Sequence, residues 1–105
     1  CCAHHHDRLV VELLHVADCP NHSLARERVD LALDRAGVTA TVLEVEITTP
    51  EEAERAGMNG SPTILVDGVD PFGGAGASLA CRLYRSGETV EGAPPLDALT
   101  EALSR

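Results

Sequence analysis

Leu9-Val10-Val11-Glu12-Leu13-Leu14-His15-Val16 is apolar at nearly every position and gives way within a few residues to an amphipathic stretch. A strand that is apolar on both sides must be covered on both faces, so this pattern fits a central strand better than an edge strand. From Pro20 to Ala36, the residues Leu24, Ala25, Val29, Ala32, Leu33 and Ala36 recur at helical spacing, with Arg26, Glu27, Asp30 and Asp34 between them and Gly37 as the C-terminal stop. Residues Ala40 to Ile47 then alternate, with Thr41, Leu43, Val45 and Ile47 on one side and Glu44 and Glu46 on the other, as in a half-exposed edge strand. Strand, helix and strand make a right-handed crossover unit, so the first half of the chain reads as α/β.

The second half is punctuated by turn residues. Thr49-Pro50-Glu51-Glu52 has the form of a capping box with proline at the first helical position, opening a short helix that Gly57 ends. Gly60-Ser61-Pro62-Thr63 then opens the apolar run Ile64-Leu65-Val66, and a proline directly before a strand is a candidate cis peptide. Val69 to Ser78 is Gly-rich and loop-like, Leu79 to Tyr84 is expected to return antiparallel to the Pro62 strand, and Ser86-Gly87 reads as a turn. A terminal helix follows Pro94-Pro95, with Leu96, Leu99, Ala102 and Leu103 on one face. The order β-α-β, short helix, β-β-α predicts a four-stranded mixed sheet with helices on both faces. It occupies residues 9–105, behind a flexible Cys/His-rich arm over residues 1–8.

Composition narrows the function classes. A chain of 105 residues supports one modest core, and 2% aromatic content leaves no platform for stacking a base or a flat cofactor. A formal charge of -9 repels phosphate backbones and anionic membrane surfaces, so neither nucleic acid nor membrane is expected as a partner. No apolar run reaches the length of a membrane span and none resembles a secretory signal, which makes the cytoplasm the expected compartment. Cys1 at the first position leaves open a lipoprotein-type terminus or a trimmed chain. Cysteines isolated at positions 19 and 81 do not form a stapled secreted framework, and in a reducing compartment such residues are reactive, metal-binding or buried.

Cys19 is the principal candidate. With Pro20 at the first helical position, Cys19 is expected to cap the helix, its sulfur facing unpaired N–H groups and the positive end of the helix dipole, an arrangement that favours a thiolate. His22 would then sit one turn away, able to hold a proton or lower the thiol pKa further. A cis Pro62 would turn the carbonyl and N–H of Ser61 toward the thiol, making Pro20, Ser61 and Pro62 candidates for positioning an extended substrate. Asp18 reads as solvated. Antiparallel geometry would carry Cys81 toward the end of the sheet away from Pro62, as a small buried hydrophobe; the sharper alternative is a resolving thiol or a second soft-metal ligand. The arm Cys1-Cys2-Ala3-His4-His5-His6 offers ligands for Cu, Zn or Hg without the spacing of a structural zinc site, and a tag remnant would read the same way. Asp67-Gly68 and Asp70-Pro71 read as turn chemistry.

The Cys19 placement and the Pro62 loop together resemble the thioredoxin fold, in which the first helix's N-terminus and a proline loop meet at one edge of the sheet. In thioredoxin-like oxidoreductases the first cysteine of Cys-x-x-Cys attacks a disulfide and the second resolves it; here the second position is His22. The segments Asp18 to Asn21, Gly60 to Thr63, Val66 to Phe72 and Cys81 to Tyr84 are similar to those of small actinobacterial-type thioredoxin-like proteins grouped with alkylmercury lyases. That resemblance implies a pair of cysteines, Cys19 and Cys81, acting on a soft electrophile such as mercury, with Asp18 or Asp70 as acids. Three function classes stay open. They are a thiol–disulfide oxidoreductase working with a protein or small-molecule thiol, a soft-metal (Hg, Cu or Zn) or organomercurial lyase-like protein, and a noncatalytic interaction module. No cofactor is required by the first, and the oligomeric state is unspecified.

Overall fold

The central strand is where the apolar run predicts it. In the computed structural model, which describes residues 9–73, 76–86 and 88–104, β1 spans Leu9–His15. Helix α1 (His22–Ala36) follows, then β2 (Ala40–Glu46), α2 (Pro50–Ala56), β3 (Asn59–Ser61) and β4 (Thr63–Val66). Next come β5 (Ser78–Cys81), β6 (Tyr84–Ser86), β7 (Thr89–Glu91) and α3 (Leu96–Leu103). The expected flexible arm lies outside the described residues.

The main sheet is three-stranded and mixed, in the order β2-β1-β4. β1 runs parallel to β2, with Val11 opposite Val42, and antiparallel to β4, with Leu13 opposite Ile64. Alternation along β1 divides the core into two. Leu9, Val11 and Leu13 join Ile64 and Val66 beneath Ala25, Val29 and Ala32 of α1 and Leu99 and Leu103 of α3. Leu14 and Leu65 face the other way, against Ile47, Ala53 and Met58. Helices therefore lie on both faces, but α2 is short and covers only one end of the second face. Leu43, expected on the buried side of β2, is 45% exposed, and Val10, opposite Thr41, is 36% exposed.

The turn chemistry is as read from the sequence. Gly37 and Gly57 end their helices in the left-handed conformation. Thr49 accepts from the Glu52 N–H at 3.1 Å, while the Glu52 carboxylate reaches back to the N–H of Thr48 at 2.9 Å, closing the predicted box one residue further out.

The expected fourth strand does not form. Residues 78–81 pair parallel to β3, with Ser78 opposite Asn59 and Cys81 opposite Ser61, and Tyr84–Ser86 turns away into a separate hairpin with β7. The physical reason is a buried ion pair that ties down the long loop. Asp70 and Arg82 meet at 2.6 Å with side chains only 8% and 10% exposed. Asp70 also accepts from Asn59 Nδ2 and from the N–H of Phe72, each at 2.9 Å. Arg82 donates in addition to Thr63 Oγ1 at 3.3 Å and to the Gly73 carbonyl. This network holds β5 beside β3. The close approach leaves no room for a side chain at Gly60, where a Cβ would lie 2.9 Å from that of Arg82 and φ is +111°.

Breaking the pair by Arg82→Met leaves a buried carboxylate without its cation. Such losses cost about 3–5 kcal/mol, so the midpoint of denaturant unfolding should fall accordingly. A change under about 1 kcal/mol would show that Asn59 and the Phe72 N–H suffice to hold Asp70.

Candidate functional site

The antiparallel pairing of β1 with β4 sets Leu14 opposite Thr63, so the Pro62 corner lands beside the turn that leaves β1. The Val16 N–H donates to Ser61 Oγ at 3.1 Å, and the Cys19 N–H donates to the Val16 carbonyl at 3.2 Å. Through these two bonds the cysteine hangs from the corner. The Ser61–Pro62 peptide is cis.

Cys19 is not the helix cap. Its carbonyl accepts from the His22 N–H at 3.3 Å, closing a four-residue turn, and the first bond of the helix runs from the Ala25 N–H to the Asn21 carbonyl at 2.9 Å. Asn21 is the cap residue and His22 the first helical one. Proline explains the shift, because its fixed φ suits the second position of a turn as well as the first position of a helix. Cys19 thus stands two residues outside the cap, half-buried and free. Pro20 is exposed, as is Asp18.

The His22 ring stacks on the ring of His15, with centroids 3.8 Å apart and planes 13° from parallel. Its Nε2 contacts Glu44 Oε1, and the other oxygen of Glu44 accepts from Arg26 Nη1 at 2.6 Å. Arg26 and His22 together hold the Glu44 carboxyl below its usual range, the His22 hydrogen bond being the largest cause and burial opposing it. The imidazole expected beside the thiol is therefore engaged on the β2 side of the turn.

Cys81 corrects a second expectation. It is exposed, not a buried hydrophobe, and the parallel pairing of β5 places it opposite Ser61 instead of at the far end of the sheet. Both cysteines are free; Cys81 pairs with Ser61, and Cys19 is linked to Ser61 through Val16. Ser61 itself is buried, with its carbonyl accepting from the Arg82 N–H at 3.0 Å. The edge of β3 where an extended substrate was expected to pair is occupied by β5. Asp70, a candidate acid, is held by Arg82.

Sequence reasoning missed Tyr84. Its hydroxyl donates to the Pro62 carbonyl at 2.5 Å, its ring meets Phe72 edge-on with centroids 5.6 Å apart, and the Arg82 guanidinium lies 4.5 Å over its face. Burial pushes the phenol pKa up, Arg82 pulls it down, and the charges of Asp70 and Cys19 add to the rise. The available signal was that a chain with one tyrosine and one phenylalanine places both around the same loop. His15 and Glu44 were also missed, although a histidine closing an apolar central strand is a local anomaly.

No protein-family model, curated protein or solved structure matches the chain. Among the described residues, no helix is long and apolar enough to cross a membrane.

Because Tyr84 is the sole tyrosine and tryptophan is absent, tyrosinate absorbance reports this site alone. In native protein the transition should lie above the ordinary value of about 10 and return to it in denaturant. The folded phenol prefers its proton, so stability is unaffected below about pH 10 and falls as pH rises through and beyond it. A native midpoint at or below the ordinary value would overturn the burial of the phenol as the controlling influence.

Proposed function

We propose that the chain is a thioredoxin-like thiol protein in which Cys19 acts as a single reactive thiol in thiol–disulfide exchange with an external protein or small-molecule partner. One observation carries this reading: a half-buried free thiol stands in the β1–α1 turn, which is tied through Val16 to the Ser61 hydroxyl of the cis Ser61–Pro62 corner. Two free thiols fit a reducing compartment such as the cytosol. In the exchange the Cys19 thiolate attacks one sulfur of a disulfide. The sulfur–sulfur bond breaks as the new one forms, and the departing thiolate carries the electron pair and takes a proton from water. A second thiol then attacks the mixed disulfide and releases Cys19. Cys81, opposite Ser61, is the internal candidate for that role.

A second reading is favoured by the same placement of Cys81. Two free thiols flanking one corner suit a soft ion, Hg(II) above all, and the lyase-like alternative would use the same pair. In that case Asp18 is the remaining acid, since Asp70 is paired.

The test uses the full chain with Cys1 and Cys2 changed to Ser. Oxidised glutathione should place one mixed disulfide on Cys19, seen by mass spectrometry of peptides. Cys19→Ser should abolish it and Cys81→Ser should retain it. An adduct on Cys81 alone, or none on Cys19, rejects the monothiol reading and leaves the noncatalytic module. Stoichiometric Hg(II) binding lost with either cysteine supports the soft-ion reading instead.

A further inference from the structure

We propose that His15, His22 and Glu44 form a binding site for a divalent first-row transition ion of the zinc class, separate from the thiols and independent of the exchange reading. A ligand atom from each of the three lies within 4.8 Å of the others. Each comes from a different element: His15 ends β1, His22 opens α1 and Glu44 lies on β2. All three elements are fixed by the parallel β1–β2 pairing and the first core, so the ligands are held by packed structure and not by a loop.

The details of His15 favour this role. Its ring is buried, and its Nδ1 lies 3.0 Å from the Val16 carbonyl. A carbonyl only accepts, so the proton sits on Nδ1 and Nε2 carries the free lone pair. Metal-binding histidines are commonly fixed in this way, with the second nitrogen donating to a backbone carbonyl. His22 stacks face to face on that ring with its Nε2 against Glu44 Oε1, so binding an ion requires the partly exposed His22 side chain to turn out of the stack until the two imidazole lone pairs converge beside Glu44. Two imidazoles and one carboxylate suit Zn(II), Co(II) or Fe(II), and they leave coordination positions open for water or a small anion. Arg26 on the outer carboxylate oxygen orients Glu44 without being a ligand. His22 and Glu44 open onto a surface hollow that Ser23 and Arg26 also line. A chain of formal charge -9 draws cations toward it.

Co(II) is the probe, because its visible bands report coordination and a thiolate ligand adds a charge-transfer band in the near ultraviolet. The full chain is used with Cys1 and Cys2 changed to Ser and His4, His5 and His6 to Ala, which removes the competing ligands of the N-terminal segment. One Co(II) per chain should bind with intense visible bands and no thiolate band, and Cys19→Ser should leave the spectrum unchanged. Loss of outer-shell partners alone costs about 10–100-fold in metal affinity, so His22→Ala and Glu44→Gln should each cost at least about a hundredfold. Both side chains are at the surface, and circular dichroism should show both variants folded. The proposal is overturned by no Co(II) binding in the parent chain. It is equally overturned by unchanged affinity in either variant, or by a thiolate band that disappears with Cys19.

Discussion

The Asp70–Arg82 pair is the interaction on which the second half of the molecule depends. Taking two charges out of water costs several kcal/mol per ion, and their mutual attraction offsets that only where further hydrogen bonds satisfy both groups. Here they do. Asp70 receives three donors and Arg82 reaches Thr63, Gly73 and the face of Tyr84 besides its partner. The network spans the long loop, the start of β4 and the segment after β5. It ties Asp70, Phe72 and Gly73 to the start of β4, and Tyr84 packs against the same network.

That corner is where two topological facts coincide. β1 runs antiparallel to β4, which brings the start of β4 to the end of β1, and the cis peptide stands immediately before β4. The turn leaving β1 has to pass the same place on its way to α1. Cys19 is in that turn, and the parallel placement of β5 adds Cys81 from the opposite side. A returning antiparallel strand would have moved Cys81 elsewhere, so the ion pair also decides which cysteines surround the corner.

What was legible in the sequence follows the strength of the local signal. The apolar run of β1, the helical spacing of α1, the Thr49 cap and the two helix-ending glycines are each determined within a few residues, and each is in place. The Ser61–Pro62 conformation was legible for the same reason. β5 was not, because Ser78–Cys81 buries little, and its direction is set by a charge pair between residues twelve positions apart. The capping role of Cys19 failed for a subtler reason. Proline satisfies both a turn and a helix start, and only the hydrogen bond from His22 to the Cys19 carbonyl distinguishes them.

The same turn alters how Cys-x-x-His should be understood in this chain. Spacing alone suggests that the imidazole serves the thiol, yet His22 stacks on His15 and bonds Glu44, which Arg26 holds from the other side. The titratable group that contacts the Pro62 corner is Tyr84. A phenol raised by burial stays neutral throughout the physiological range, and its proton is directed to the Pro62 carbonyl. It is therefore neither a base for the thiol nor a competing anion beside it. The carboxyl end of the β1–β2 pair, a common location for sites in α/β sheets, thus separates two donor sets. Sulfur lies on the side of the Pro62 corner, and imidazole with carboxylate lies on the side of β2. Cys19 therefore lacks the cationic partner that the Cys-x-x-His spacing alone would suggest.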